Sequence, residues 1–330
     1  MAEFEIKDGV AIIPEGTTVI AERAFEGRAD LTGIRLPSSL RTIQSFAFRD
    51  CTGLTSIDFP LNLKEIGKYA FAGCCSLTSI SIPEGITRIE NGTFENCTGL
   101  TSIEFPPTLK EFCEFAFSGC AGLRSIELPG NVMSIGEYLF RDCTGLTSIT
   151  IPSSVKKIEV LAFSGCPNLA SITVDEGNPV YDSREDCNAI IETASNKLVA
   201  GCKALVIPSS VKEIGCSALG GCAGLASITI PASVESIGDY AMCACNGLES
   251  VTVCAYLNVN GGLTCSSSYV AYVSVYDDRL GYVIPALTKI YRAACLTDCI
   301  DSSANGGAVV CFALHSLGYY DISVCYIHIL

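Results

Sequence analysis

The sequence predicts a solenoid of stacked, near-identical coils, and three observations carry that reading. Prolines recur at a fixed interval of 23, at Pro14, Pro37, Pro60, Pro83, Pro106, Pro129 and Pro152; Pro208 follows after one longer gap, and Pro231 restores the interval. Eleven residues after each proline stand Phe25, Phe48, Phe71, Phe94, Phe117, Phe140 and Phe163, then Leu219 and Met242. Aliphatic ladders keep the same phase: Ile43, Ile66, Ile89 and Ile135; Leu54, Leu77, Leu100, Leu123 and Leu146; Ile57, Ile80, Ile103, Ile126 and Ile149. Registers held in phase over so many copies mark a repeat array, in which no unit buries its apolar set alone and neighbours do so for each other.

Each unit reads L-x-x-I-x-(I/F/L)-P-x-x-(L/V)-x-x-I-x-x-x-A-F-x-x-C. The I-x-I portion alternates at period two, as a short strand does. Proline closes it, having no N–H to offer a neighbouring strand. The A-F-x-x-C portion places Phe and Cys three apart, which fits one helical turn facing inward. Stacked units pair their strands in parallel at about 4.8 Å per step, so nine steps give a core roughly 40 Å long with phenylalanines down its middle.

The chain has 20 cysteines, a number that elsewhere points to disulfides or zinc. Here eight of them, Cys51, Cys74, Cys97, Cys120, Cys143, Cys166, Cys222 and Cys245, occupy one place in the repeat. Their Cβ vectors run parallel rather than convergent, which disfavours bridging. One thiol per coil in a straight row makes no tetrahedron, so no metal is expected there. The expected role is that of small buried hydrophobes with weak hydrogen bonds to turn backbone.

The unit resembles the Treponema pallidum-type leucine-rich repeat of BspA-like proteins, over about residues 12–253. That resemblance implies a leucine-rich repeat solenoid: a right-handed coil with a short parallel β-sheet on its concave face and short helical or irregular turns on its convex side. It also implies binding or adhesion, often at the surface of bacteria that live with a host, and it brings no catalytic residues and no cofactor. The last repeats depart from the pattern, with Leu219 and Met242 in place of Phe.

The totals agree with a binding module and exclude several classes. Of 330 residues, 49% are hydrophobic and 17% charged, which is not the composition of a disordered chain. A net charge of −14 argues against nucleic acid and against adsorption to an anionic membrane. No apolar run reaches the roughly 18–20 residues that span a bilayer. The start, with Glu3, Glu5 and Asp8 and no basic segment, is not a signal peptide. The expected location is therefore the cell surface or outside if an export signal lies beyond this sequence, and the cytoplasm otherwise.

Two places break the period. Residues 175–207 are an insertion at one coil, with a hairpin expected at Ala189–Thr193 and Leu198–Cys202. The insertion is either a binding loop or a cap on a change of curvature, and Cys187 and Cys202 stand where they can approach across it. After Val253 the ladders stop, giving a solenoid over 1–253 and an atypical tail over 254–330. That tail has six cysteines, nine of the 13 tyrosines, one lysine (Lys289) and no glutamate. It reads either as a small β-rich cap or as an out-of-frame end, and in the second case the solenoid does without it.

Chemistry is disfavoured. The two histidines, His315 and His328, both lie in the tail, and neither G-x-x-x-x-G-K-S/T nor H-E-x-x-H occurs. Cys74–Cys75, Cys243-x-Cys245 and Cys295-x-x-x-Cys299 lack zinc-finger partners at the usual spacing. What remains is the outward face of the strands: Thr55, Ser56, Asp58; Thr78, Ser79, Ser81; Thr101, Ser102, Glu104; Arg124, Ser125, Glu127; Thr147, Ser148, Thr150. Short hydroxyls there relieve crowding and support strand structure; alternatively they form a flat surface for a protein, such as a host surface or matrix protein, or for a glycan. The expectation is thus a non-enzymatic binding protein, with a structural scaffold lacking a dedicated ligand site as the alternative.

Overall fold

The computed structural model describes residue 4, residues 6–231, 233–259, 263–271, 275–277 and 282–284, with side chains as far as residue 249. The described residues form parallel β-solenoid coils, about 10 turns in all, with almost no helix. The chain divides into two compact units, Met1–Leu169 with Val174–Val180, and Ala170–Thr173 with Tyr181–Leu330.

In the first unit the coils build two series of parallel strand pairs. The expected one, at the I-x-I segment, pairs Val10–Ile12 with Gly33–Arg35, Ser79–Ser81 with Ser102–Glu104, and Ser125–Ile126 with Ser148–Ile151. It is not continuous. The coil at Thr55–Pro60 has no strand there, and its contact is carried by the long Thr55 N–H to Thr32 O and Thr78 N–H to Thr55 O bonds of 3.3 and 3.4 Å. The second ladder is absent from the sequence reading. It comes in two sheets, one joining Val19–Ile20, Thr42–Ile43 and Glu65–Ile66, the other joining Arg88–Ile89, Glu111–Phe112, Ser134–Ile135 and Lys157–Ile158. Its strands are two residues long, too short to display an alternation. At the start, Ile6–Lys7 folds back antiparallel onto Val10–Ile12, and Phe4 stacks on Phe25 at 5.6 Å.

The helical turn expected at A-F-x-x-C does not form. Alternate N–H groups bond within the coil at i−3, as in Ala70 to Gly67 O, Ala72 to Tyr69 O and Cys74 to Phe71 O. Those between them reach the next coil, as in Tyr69 to Asn91 O, Phe71 to Thr93 O and Gly73 to Glu95 O. No N–H is left for an i−4 bond, so the segment is a chain of tight turns. Left-handed residues make the turns, at Tyr69 (φ 55°) and Gly73 (φ 75°) in this coil.

The second of those left-handed positions has a rhythm of its own. It reads Gly27, Asp50, Gly73, Asn96, Gly119, Asp142, Gly165, all at positive φ. A Cβ added at Gly73, Gly119 or Gly165 would meet the side-chain Oδ1 of Asp50, Asn96 or Asp142 at 2.3, 2.2 or 2.1 Å. Each acid or amide lies over the next coil where a Cβ would stand, so glycine must follow it. The true structural repeat here is two coils.

Between the ladders run two buried columns. Phe25, Phe48, Phe71, Phe94, Phe117, Phe140 and Phe163 stack face to face with centroids 5.1–6.0 Å apart. Each buried ring contributes about 1.5–3 kcal/mol by transfer from water, and its stacking adds about 0.5–1.5 kcal/mol. Beside them the ladder thiols are free, and each of the six in this unit donates to the phenylalanine carbonyl of the preceding coil, as in Cys97 Sγ to Phe71 O and Cys120 Sγ to Phe94 O, both 3.2 Å, whereas Cys245 Sγ donates to Leu219 O. Burial pushes these thiols up, Cys51 and Cys143 to about 12 and Cys245 to about 11.

In the second unit the insertion becomes part of the stack. Ala189–Glu192 and Lys197–Gly201 form an antiparallel hairpin, with Tyr181–Asp182 added along its outer edge. Lys197–Gly201 then pairs in parallel with Glu213–Ile214, which pairs with Ser236–Ile237. Leu198 so takes the ladder place beside Ile214, and Gly201 O accepts from Cys222 Sγ at 3.2 Å. Cys187 and Cys202 are buried and free. Ser227–Ile230 pairs in parallel with Ser250–Val259, which pairs antiparallel with Leu263–Ala271. Beyond these strands, and the short pair Val275–Asp277 with Tyr282–Ile284, the expected tail lies outside the described residues.

Candidate binding surface

All fifteen residues of the expected face are exposed, in rows along the first unit. The isoleucine between them points into the core on every coil, so period-two alternation puts its neighbours outside. The three rows behave differently. The threonine hydroxyls are largely committed: Thr55 Oγ1 donates to Thr32 O at 3.2 Å, Thr101 Oγ1 to Thr78 O at 3.1 Å, and Thr147 Oγ1 to Arg124 O at 3.0 Å. They tie each coil to the one before it, in parallel with the backbone bonds. Structural support accounts for that row.

The serines are not committed. Ser56, Ser79, Ser102, Ser125 and Ser148 are exposed, and their hydroxyls bond to no group among the described residues. In the third row Asp58, Glu104 and Glu127 are exposed carboxylates without an ion pair among the described residues, beside Ser81 and Thr150. Arg124 is likewise exposed. Five rungs of about 4.8 Å span roughly 20 Å, and a standard interface takes about 20–30 residues a side. The fifteen residues alone make a modest contact, and a partner has to extend past them.

Reading the sequence alone missed another row, nine residues after each proline, where the turn is left-handed. It holds Arg23, Phe46, Tyr69, Gly92, Phe115, Tyr138 and Leu161, with φ between 55 and 61°. Phe46 stacks on Tyr69 at 5.4 Å and Phe115 on Tyr138 at 4.9 Å, half-exposed. The Arg23 guanidinium lies 4.6 Å over Phe46 and that of Arg141 lies 5.4 Å over Tyr138. Bulky residues at positive φ cost stability, and stacking offsets part of it. At least one face of each ring is used within the stack, which leaves less of it for a partner. The register of the repeat was the available signal, since Phe46, Tyr69, Phe115 and Tyr138 are in phase.

Among the described residues no group of His, Cys, Asp and Glu is arranged to hold a metal. The exposed thiols Cys75, Cys216 and Cys243 are free. No helix of the described residues is long and apolar enough to cross a membrane.

Comparison with known proteins follows the same lines. No curated protein matches the chain. Among solved structures, a leucine rich cell surface protein from Faecalibacterium prausnitzii A2-165 superposes with a TM-score of 0.51 at 26% identity, over 73% of this chain and 68% of that one. A leucine-rich repeat protein from Eubacterium ventriosum ATCC 27560 does so with a TM-score of 0.50 at 22% identity, over 76% and 69%. The BspA type leucine rich repeat region matches in six copies, over residues 10–97, 64–184 and 191–273, which runs past Val253 into the expected tail. The chain belongs to the BspA-type leucine-rich repeat family.

Proposed function

We propose that the protein is a non-enzymatic binding or adhesion protein that presents the strand face of its first unit to a protein partner. The observation that carries this reading is the contrast between the rows. The threonine hydroxyls are tied to backbone, whereas Ser56, Ser79, Ser102, Ser125 and Ser148 and the carboxylates of Asp58, Glu104 and Glu127 are exposed and uncommitted. Held on successive coils whose backbone is already ordered by the fold, they offer hydrogen-bond donors and acceptors with little backbone entropy left to lose on binding. A cell-surface relative of the same fold supports a role in contact with other molecules.

The test is a pull-down of host matrix proteins and source-cell lysate, followed by binding titrations with the triple variant Ser79→Arg/Ser102→Arg/Ser125→Arg. A partner bound through this face should lose more than about tenfold in affinity, worth about 1.4 kcal/mol, while the thermal midpoint stays put. A partner held equally well by the variant would place binding on another face. No specific partner from either source would favour a scaffold.

A further inference from the structure

The register that enters the second ladder carries a charge pattern opposite to that of the whole protein. Across seven coils of the first unit it reads Thr18, Arg41, Lys64, Thr87, Lys110, Met133, Lys156, with four cations and no acid, in a chain of 35 acidic and 21 basic residues. These positions follow coil by coil in two stretches, one in each sheet: Arg41 N–H bonds to Thr18 O and Lys64 to Arg41 O, and then Lys110 to Thr87 O, Met133 to Lys110 O and Lys156 to Met133 O. All four cationic side chains are exposed, and none forms an ion pair among the described residues. The stem of Lys64 lies against the next coil, close enough that a Cβ at Gly85 would meet its Cδ at 3.2 Å.

The adjacent register neutralises itself where it carries cations. Arg88 pairs with Glu90 at 2.9 Å and with Glu111 at 3.8 Å, and Lys157 pairs with Glu159. Glu65 is the exposed acid beside Lys64 in sequence, and it does not pair with it. The second unit supplies a contrast: its Lys212 and Glu235, in the register of the row, pair with each other at 3.2 Å. Uncompensated cations in this register are therefore a property of the first unit, and not of the repeat. Lys64, Lys110 and Lys156 recur every second coil, about 10 Å apart, and the row from Arg41 runs about 24 Å.

We propose that this row is a docking track for a linear anionic polysaccharide. A run of exposed cations on successive coils, without ion pairs among the described residues and with Arg41 donating only to the backbone carbonyls of Ser38 and Leu40, matches a polymer that carries sulfate or carboxylate groups at regular intervals. Acids farther than about 8 Å oppose it only weakly, being largely screened at physiological salt, and of the acids next to its lysines Glu111 is paired with Arg88 whereas Glu65 offsets part of the charge of Lys64. Nucleic acid fits less well, because no aromatic side chain stands in the row to stack on a base. An anionic membrane fits less well too, because its attraction relies on clustered rather than spaced cations. The proposal does not depend on the strand-face reading, which concerns different residues.

The experiment titrates the full chain with fluorescent heparin at 50 and 200 mM NaCl. Four neutralised charges predict an affinity drop of about 100-fold between those salts, by counterion release. Lys64→Gln/Lys110→Gln/Lys156→Gln should bind at least tenfold more weakly at 50 mM and show a flatter salt dependence. The corresponding triple Arg variant should keep binding, as should the control Arg35→Gln/Lys68→Gln/Lys203→Gln. Unchanged binding by the Gln triple, or equal loss in the control, overturns the proposal. So does duplex DNA, or phosphatidylserine vesicles, binding as tightly as heparin through the same lysines.

Discussion

Replacing Gly119 with alanine tests the two-coil rhythm of the turns. Gly119 sits at φ 73°, and an added Cβ would stand 2.2 Å from Asn96 Oδ1 and 3.2 Å from Asn96 Cγ. Alanine in the left-handed region costs about 1–2 kcal/mol by itself. The exposed Asn96 amide must also swing away, off its preferred rotamer, for about 0.5–1.5 kcal/mol more. Gly27 provides the matched control: it has the same register and a φ of 74°, with no atom within 4 Å of its added Cβ. Gly27→Ala should thus cost only the backbone part. In urea unfolding followed by far-UV circular dichroism, Gly119→Ala should lose about 2–3 kcal/mol. Combining it with Asn96→Gly should recover the side-chain part, a coupling of about 0.5–1.5 kcal/mol. Equal costs at Gly27 and Gly119, or Gly119 and Asn96 effects that add within about 0.3 kcal/mol, would refute the alternation.

The thiol column predicts sensitivity to alkali. Burial holds Cys51, Cys74, Cys97, Cys120, Cys143, Cys166 and Cys245 protonated well above an unfolded value of about 8.5. Above that pH the unfolded chain binds fewer protons than the folded one. The stabilisation is complete below about pH 8.5 and falls by about 1.4 kcal/mol per pH unit per thiol until the folded thiols ionise. The melting temperature should drop steeply between pH 8 and pH 10, and less so in Cys97→Ala/Cys120→Ala; a flat profile would contradict the burial. Phe94, fully buried between Phe71 at 5.7 Å and Phe117 at 5.6 Å, should cost about 3–5 kcal/mol when cut to alanine. Ser102→Ala, on the open face, should cost less than about 0.5 kcal/mol in the same denaturation assay, and comparable losses would show that one of the two faces is misassigned.

The core was legible because each of its positions repeats one residue type in one environment. Proline, phenylalanine, cysteine and isoleucine can be read down the columns, and buried stacks tolerate few alternatives. The second ladder was not legible, because Thr42–Ile43 and its equivalents put a single isoleucine inward and vary everything else. The turns were misread for a related reason. A spacing of three between Phe71 and Cys74 is shared by a helical turn and by successive tight turns. What separates them is the destination of the N–H groups, which lies in the next coil and so beyond the reach of any local pattern. On the strand face, composition showed hydroxyls but not their employment. Thr101 and Ser102 look alike in sequence, yet one is bonded to backbone and the other is open.

The pairing of Asp50, Asn96 and Asp142 with the glycines that follow them bears on how such a gene can lengthen or shorten. Loss of the single coil that includes Asn96 would bring Gly73 against Gly119, and two glycines in succession crowd nothing. Loss of the coil that includes Gly119 would instead set Asp142, with its Cβ, under the Asn96 amide. Duplications and deletions by unequal recombination are then filtered by parity. Steps of two coils pass freely, and single-coil steps pass when they remove an Asx coil or duplicate a glycine coil. Alleles of this array should therefore differ in length without ever placing two Asx coils in succession.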